Sequence, residues 1–415
     1  MTRRDFMLAT AASVIEAAPA SDEGVSIKVG EVTPTTAIVW IRSKRPVRVV
    51  TVGERRPPWR RALASNDYTL RWVLTRLEPG REVRFRVESK RQAPVEGHFR
   101  TAPLPSEPAD ALFTMLSCQM YKDRDDPARG FKIYDSIRAL SPSALFSCGD
   151  NVYYDNEEPV VTSVELARLH WHRMYALPSI AECLRSVPGY WQKDDHDVYD
   201  DDSWPGKTSA KMGGFTFAEG QRIFREQVPM PDPAYRTVRW GSHVEFWLLE
   251  GRDYRSPNTA PDSKSKSILG ADQKEWLETS MAESNATFKI VISPTPLVGP
   301  DRKTKNDSYA NAAFATEGAE LRAWLTKTLG SRGAVLCGDR HWQYHSVDPK
   351  TGLQEFGCGP ASDEHAAGTP GEDKSMHRFH RVKGGFLKVQ VTSGRLTLTH
   401  CDVKGAPVYQ SALTA

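Results

Sequence analysis

Ser147-Cys148-Gly149-Asp150-Asn151-Val152-Tyr153-Tyr154-Asp155 is the stretch that decides the fold. It follows Ser143-Ala144-Leu145-Phe146, a short apolar run after the break at Pro142, and reads as a buried strand ending in a glycine turn. A strand that ends in Gly-Asp sets a carboxylate at the carboxyl edge of a sheet, where open α/β sheets keep their ligands. Three residues on, Tyr153 offers a phenolate oxygen, a hard donor suited to a trivalent metal. Alone, Gly-Asp-x-x-Tyr is a common turn beside a packing tyrosine. It gains meaning only if matching ligands stand at other strand ends.

The 415 residues suffice for two domains, each with its own core. Lys and Arg total 55 against 52 Asp and Glu, which argues against a dedicated nucleic-acid binder. No run of about 18 apolar residues is present to span a bilayer. Met1-Thr2-Arg3-Arg4-Asp5-Phe6, a weakly apolar segment and Ala18-Pro19-Ala20 together look like a twin-arginine export signal over residues 1–20. The chain is thus expected to meet the twin-arginine export machinery and to end in the periplasm or outside the cell. Six cysteines, Cys118, Cys148, Cys183, Cys337, Cys358 and Cys401, show no CxxC pair and read mostly as small core residues.

Residues 22–103 carry short alternating strands and no helix: Val25–Gly30, Thr36–Arg42 around Trp40, and Arg81–Val87. They are expected to form an all-β sandwich of the immunoglobulin or fibronectin III kind, with its arginine-rich strands as a solvated face. Prolines at 103, 105 and 108 mark a linker at 104–109. Strands then alternate with helices, the latter expected at Phe131–Leu140, Val164–Leu177, Asp272–Glu283 and Glu317–Leu329. This pattern predicts a layered α/β domain over 110–402, with mixed sheets flanked by helices. From Gly352 the chain is strand-rich, so the sheet should finish antiparallel before a C-terminal tail at 403–415.

The polar residues that follow strands form an ordered set: Ser117-Cys118-Gln119, Gly149-Asp150-Asn151-Val152-Tyr153, Asp194-Asp195-His196-Asp197 and Cys337-Gly338-Asp339-Arg340-His341. Hard oxygen donors with one sulfur and one nitrogen suit iron beside a second divalent ion. The order Cys, Gly-Asp-x-x-Tyr, Asp-His-Asp, Gly-Asp-x-His resembles the alkaline phosphatase D (PhoD) family of metallophosphoesterases, distant relatives of the purple acid phosphatases. The resemblance covers roughly residues 110 to 400, and the family usually carries a β-sandwich in front of its catalytic domain.

The resemblance implies an iron site on Cys118, Asp150, Tyr153 and His341, with Asp150 bridging to a second ion that also takes Asp195 and Asp339. It implies Fe3+ and a divalent partner, calcium with zinc or manganese as alternatives, and hydrolysis of phosphate monoesters or diesters by a metal-bound hydroxide. His196 is expected to face the substrate as hydrogen-bond donor or leaving-group acid, with Asp197 behind it fixing the tautomer. Of the loop cations, Arg124 is the best placed to contact phosphate, while Lys122, Arg129, Lys264, Lys266, Arg302, Lys303 and Lys305 read as solvated.

Two departures from the family pattern stand out: Lys193 replaces a frequent Trp, and Asp200-Asp201-Asp202 stand where relatives place an asparagine, Asp201 being the nearest equivalent. His341 and His345 have a zinc-helix spacing but follow a strand, so only His341 is assigned to metal. Gly359–Gly384 is expected either to cover the site or to be disordered, and Tyr154, Trp191 and Trp204 to pack in the core unless one stacks on substrate. Two rival readings stay open: a purple acid phosphatase-like enzyme with another metal pair, against which Cys118 speaks, and a non-catalytic exported binding protein, against which the full ligand set speaks.

Overall fold

The computed structural model describes residues 24–51, 53 and 56–415; the twin-arginine segment lies outside the described residues. Six strands come first: β1 (Ser26–Gly30), β2 (Ala37–Arg42), β3 (Val47–Thr51), β4 (Thr69–Leu74), β5 (Glu82–Ser89) and β6 (Val95–Arg100). The middle alternates: β7 (Ala111–Leu116), α1 (Lys132–Leu140), β8 (Ala144–Cys148), α2 (Val164–Tyr175), α3 (Pro178–Leu184), β9 (Gly189–Gln192), α4 (Phe217–Gln227), β10 (Arg236–Trp240), β11 (Val244–Leu248), α5 (Gly270–Glu283), β12 (Phe288–Ser293), α6 (Ala315–Leu329) and β13 (Gly333–Cys337). Strands close the chain: β14 (Gln343–Val347), β15 (Gln354–Cys358), β16 (His377–Arg381), β17 (Phe386–Thr392), β18 (Arg395–Cys401) and β19 (Pro407–Thr414). Helices α3 and α4 were not anticipated, and residues 403–415 are no tail, because β19 pairs along β18 as an edge strand.

Two mixed sheets pack face to face. One runs β19-β18-β17-β7-β8-β9-β1-β2-β4, the other β10-β11-β12-β13-β15-β14-β16. Every residue of β8 is buried, as expected of a parallel strand covered on both faces. Phe113 and Phe146 from the first sheet meet Phe246 from the second, Phe113 at 4.8 Å between ring centroids. The outer face of the first sheet is covered by α1 to α4, packed through Ile133, Ile137, Trp171, Ile180 and Phe224. Helices α5 and α6 cover the second sheet through Leu277, Met281, Leu321 and Leu325. The result is helix, sheet, sheet, helix, with the antiparallel run β17, β18, β19 finishing the first sheet as expected.

The first strands do not hang from the Pro-rich connection alone. Strands β1, β2 and β4 continue the nine-stranded sheet, β1 pairing with β9 at Gly30 and Gly189, while β3, β5 and β6 form a third sheet. Val39, Ile41, Val47, Trp72, Phe85 and Val87 share a core between them. Polar contacts weld this part to α2 and α4. Buried Lys28 donates to Gln227 O at 2.6 Å, with its ammonium 3.7 Å from the Tyr175 ring and 4.2 Å from that of Trp40. Asp67 Oδ2 accepts from Arg42 Nε at 3.1 Å and from Gln227 Nε2 at 2.8 Å, and meets His172 Nε2 at 2.5 Å. Burial raises the Asp67 pKa, but His172 and Arg42 outweigh it and hold the carboxyl down at about 2.

A carboxyl whose pKa falls on folding stabilises the fold above its unfolded value of 3.8 and loses that contribution as pH drops toward 2. Asp67→Asn should therefore cost roughly 1–2 kcal/mol at neutral pH after allowance for screening. Denaturant titrations of both proteins should show the gap closing in acid; an equal gap at both pH values would deny Asp67 this role.

Candidate metal centre

Strands β7, β8 and β9 run parallel in one sheet, and β11, β12 and β13 in the other. Their carboxyl ends open at a shared edge, where the two sheets touch. Ser117 Oγ donates to Cys148 O at 2.9 Å and accepts from Asp339 N at 3.3 Å. Only glycine fits at 338: a Cβ there would stand 2.3 Å from Cys148 O and 2.8 Å from Ser117 Oγ. Three residues at this edge adopt left-handed backbone, Cys118 at φ 55°, Asp150 at 52° and Asp339 at 59°. Each such non-glycine conformation costs on the order of 1–2 kcal/mol, and it turns the side chain off the strand into the edge.

One group gathers Cys118, Asp150 and His341, whose ligand atoms lie within 4.8 Å of one another. Cys118 Sγ stands 3.4 Å from Asp150 Oδ2, and the Tyr153 hydroxyl lies 3.1 Å from the same oxygen and 3.3 Å from His341 Nε2. The four residues expected at the iron site therefore converge. A second group joins Asp150 with Asp194 and Asp339, and a third joins it with Asp195 and His196. Asp150 is common to all three. Asp194 was not anticipated as a ligand, yet it faces the centre alongside Asp195.

The donor set fits cations. Asp150 Oδ1, Asp194 Oδ2 and Asp195 Oδ1 are buried without a hydrogen-bond partner. Burial pushes the Asp150 carboxyl well above the usual range and that of Asp194 up to about 8; for Asp195 burial is outweighed by Arg252 and His196, which hold it low. Burial likewise lifts the Cys118 thiol and the Tyr153 phenol, and Asp150 beside each lifts them further. A positive ion reverses every one of these costs. Protein cations offset part of the charge: buried Arg252 pairs with Asp194 and lies 3.5 Å from Asp195, buried Arg340 pairs with Asp339 and Asp301, and Lys305 reaches Asp202 at 2.5 Å and Asp201 at 3.3 Å. Asp195, Asp201 and Asp202 form a further acidic group at the rim.

His196 lies at the centre, its ring 4.4 Å from that of Tyr153. The expectation that Asp197 stands behind it does not hold. His196 Nδ1 meets Asp155 Oδ1 at 2.6 Å. Asp197 instead accepts from Asn151 N at 2.7 Å, Val152 N at 3.1 Å, Asn151 Nδ2 at 3.1 Å and Asp194 N at 2.9 Å, tying the turn after β8 to the turn after β9. Arg124 does not join the ligand cluster either. Its guanidinium donates to Tyr121 O at 2.9 Å and Pro127 O at 3.3 Å, and Lys305 is the loop cation that meets the acidic rim.

His365 escaped the sequence reading because it sits in the Gly- and Pro-rich segment after β15. Its Nε2 meets the Tyr153 hydroxyl at 2.9 Å, its Nδ1 meets Asp123 Oδ2 at 2.9 Å, and its ring lies 4.1 Å from that of His341. The segment is thus laid over the site, with Ala361 N donating to Cys118 O and Ala367 N to His341 O. His345 is structural, as expected, held between Tyr409 and Gln354. Tyr154 and Trp191 are buried in the core, and the six cysteines are buried and unpaired.

The family described as PhoD-like phosphatase matches residues 113–398. No curated protein matches the chain. Among solved structures, the chain is similar to that of PhoD, with a TM-score of 0.75 and 15% identity over 94% of this chain and 88% of that one. It is also similar to purple acid phosphatase PPD1 from yellow lupin (Lupinus luteus) seeds, with a TM-score of 0.70 and 14% identity over 94% of this chain and 74% of that one. At such identities the structures show a shared fold, whereas the family match extends over well more than half of the sequence. This chain belongs to the PhoD-like phosphatase family and is a hydrolase acting on phosphoric ester bonds.

Proposed function

We propose that this protein is an exported phosphoesterase that works on two metal ions. The observation that carries the reading is the position of Asp150, shared by a thiol, phenol and imidazole group on one side and by carboxylates on the other. Cys118, Asp150, Tyr153 and His341 would hold one ion, and Asp150, Asp195 and Asp339 the other, with Asp194 beside them. Thiolate and phenolate favour Fe3+ at the first position, and the carboxylates favour calcium at the second, zinc and manganese being alternatives. A bound cation pair supplies Lewis acidity, drawing in the anionic phosphate and bringing the pKa of water toward about 7.

The chain's own residues do the rest. Asp155 accepts the Nδ1 proton of His196, which fixes the tautomer and leaves Nε2 to donate to a phosphate oxygen or hold the proton destined for the leaving group. The ring is kept in place by Tyr153, and Tyr153 by His365. Asp197, through its four bonds, keeps Asp150 and Asp195 in register by locking the turns that carry them. Arg252 and Arg340 fix Asp194 and Asp339. Residues 1–20 would leave as the twin-arginine signal, 22–103 would form a non-catalytic β module, and 110–402 would carry the chemistry. The Arg3-Arg4 pair and the Ala18-Pro19-Ala20 site support that export route.

Asp150→Asn should strip the metal and lower aryl phosphate hydrolysis by roughly 10²–10³-fold, read by elemental analysis beside the rates; full metal content with full activity would sink the shared-ligand assignment. Asp155→Asn should keep its metal but lose on the order of 10–100-fold, and lose more with an alkyl than with an aryl phosphate, because the poorer leaving group needs the proton. Asp197→Asn should lower thermal stability without that leaving-group bias. If the two variants exchange these signatures, Asp197 and not Asp155 supports the histidine.

A further inference from the structure

Beside the metal centre lies a groove of about 630 Å³ to which no role has been given. We propose that it binds a second anionic group of the substrate, so that the enzyme favours phosphate esters carrying another phosphate beyond the one cleaved; this rests on the phosphoesterase reading above. The groove shares walls with the site on two sides. Asp155, on one wall, is the residue bonded to His196. The opposite wall is the turn Tyr121–Asp123, whose Asp123 binds His365, and His365 in turn meets the Tyr153 hydroxyl.

Its lining carries four cations, Lys122, Arg124, Arg173 and Lys211, against three acids, Asp155, Glu157 and Glu158. Two of the three acids are engaged at close range, Asp155 with His196 and with Asp201 N, Glu157 with Arg173 at 2.9 Å and with Lys122 N at 2.5 Å, while Glu158 is turned to solvent and its carboxylate accepts from Val160 N at 3.3 Å. Three cations are left on neutral partners. Lys122 Nζ reaches Asn156 O at 3.3 Å, Arg124 holds two main-chain carbonyls, and Lys211 Nζ donates to Asn156 Oδ1 at 3.0 Å with Asp155 only at 3.8 Å. Arg124 and Arg173 flank the Tyr121 ring, their guanidinium carbons 4.3 Å and 4.8 Å from its centroid, which stiffens the cationic wall before any ligand arrives. A concave groove that shares Asp155 with the site and keeps three cations on neutral partners concentrates anions there. Arg124 thereby contacts the substrate, but at the distal charge and not at the scissile phosphorus.

The test compares two probes with the same scissile bond, thymidine 5′-(4-nitrophenyl phosphate) and its 3′-phosphorylated derivative, on protein loaded with iron and calcium. Wild type should show a kcat/KM about tenfold higher for the 3′-phosphorylated probe, mainly through KM and fading in about 0.5 M salt. The ratio should fall to about one in the Lys122→Gln/Arg124→Gln double variant, and partway in Lys211→Gln on the opposite wall. Because the readout is a ratio, any loss common to both probes cancels. A wild-type ratio near one, or a ratio unchanged in all variants, overturns the groove. If wild type hydrolyses neither these diester probes nor 4-nitrophenyl phosphate, the phosphoesterase reading falls; in that case, or if it cleaves only the monoester, equilibrium dialysis decides the groove: thymidine 3′,5′-bisphosphate should bind wild type about tenfold tighter than the 5′-monophosphate and lose that margin in the double variant, whereas equal binding overturns it.

Discussion

The contact on which the structure turns is the meeting of the two sheets at Gly338. With no side chain there, the main chain after β13 lies directly on Cys148 O and Ser117 Oγ, and the ends of three strands from two sheets fuse into one edge. Everything chemical follows from that closeness. Cys118 and Asp150 come from one sheet, Asp339 and His341 from the other, so the cluster exists only when the sandwich is closed. The large aromatic contacts of Phe113 and Phe146 with Phe246 hold that closure from behind. Packing energy in the core is thus spent in part on holding like charges together at the rim, along with three backbones in a disfavoured region.

The electrostatics are graded outward from that edge. Closest in, the carboxylates of Asp150, Asp194 and Asp195 keep oxygens unsatisfied. Around them, Arg252 and Arg340 are themselves fully buried and are stable as cations only because the acids surround them. Farther out stand Lys305, paired with the acidic rim, and Lys122, Arg124 and Lys211 of the neighbouring groove, which rest on neutral partners and can meet anions. Attraction for a metal is therefore deep and attraction for an anion is peripheral, which keeps the two demands from cancelling.

Much of this was legible in the sequence, for a physical reason. Parallel strands buried on both faces are uniformly apolar, so β8 and the turn after it announced themselves, and with them Asp150 and Tyr153. The reading failed where a partner comes from a distant segment without periodicity. His365 lies amid Gly, Pro and charged residues, a texture equally fit for cover or disorder. Adjacency in sequence suggested Asp197 as the support of His196, but the turn after β9 sends Asp197 back to Asn151, leaving Asp155 from another turn in its place. Arg252 follows a strand end as Asp150 does, and counting cations as well as acids at such positions would have found it. Thr216-Phe217-Ala218-Glu219 is a capping box readable in advance of α4, whereas β19 is so largely exposed that its alternation says little. The strands before residue 104 were visible as strands, but not that β1, β2 and β4 continue the nine-stranded sheet instead of closing a separate sandwich, nor that Lys28 and Asp67 bind them to α2 and α4, because buried ion and cation–π partners leave no local mark.

The strap between β15 and β16 is pinned unevenly. At its root, Ala361 is bonded to Cys118, while His365 and Ala367 are fixed on Tyr153 and His341; on the far side β16 is paired along β14. Between these anchors, residues 371–375 are exposed to solvent. A protease cut or an inserted tag at that tip would leave both anchored halves in place. The same alteration four residues after Cys358 would pull Ser362 away from Gly384 and unseat His365 with it. The strap thus offers a handle for attaching a reporter at its crest, in the same segment as His365 yet mechanically decoupled from the metal ligands.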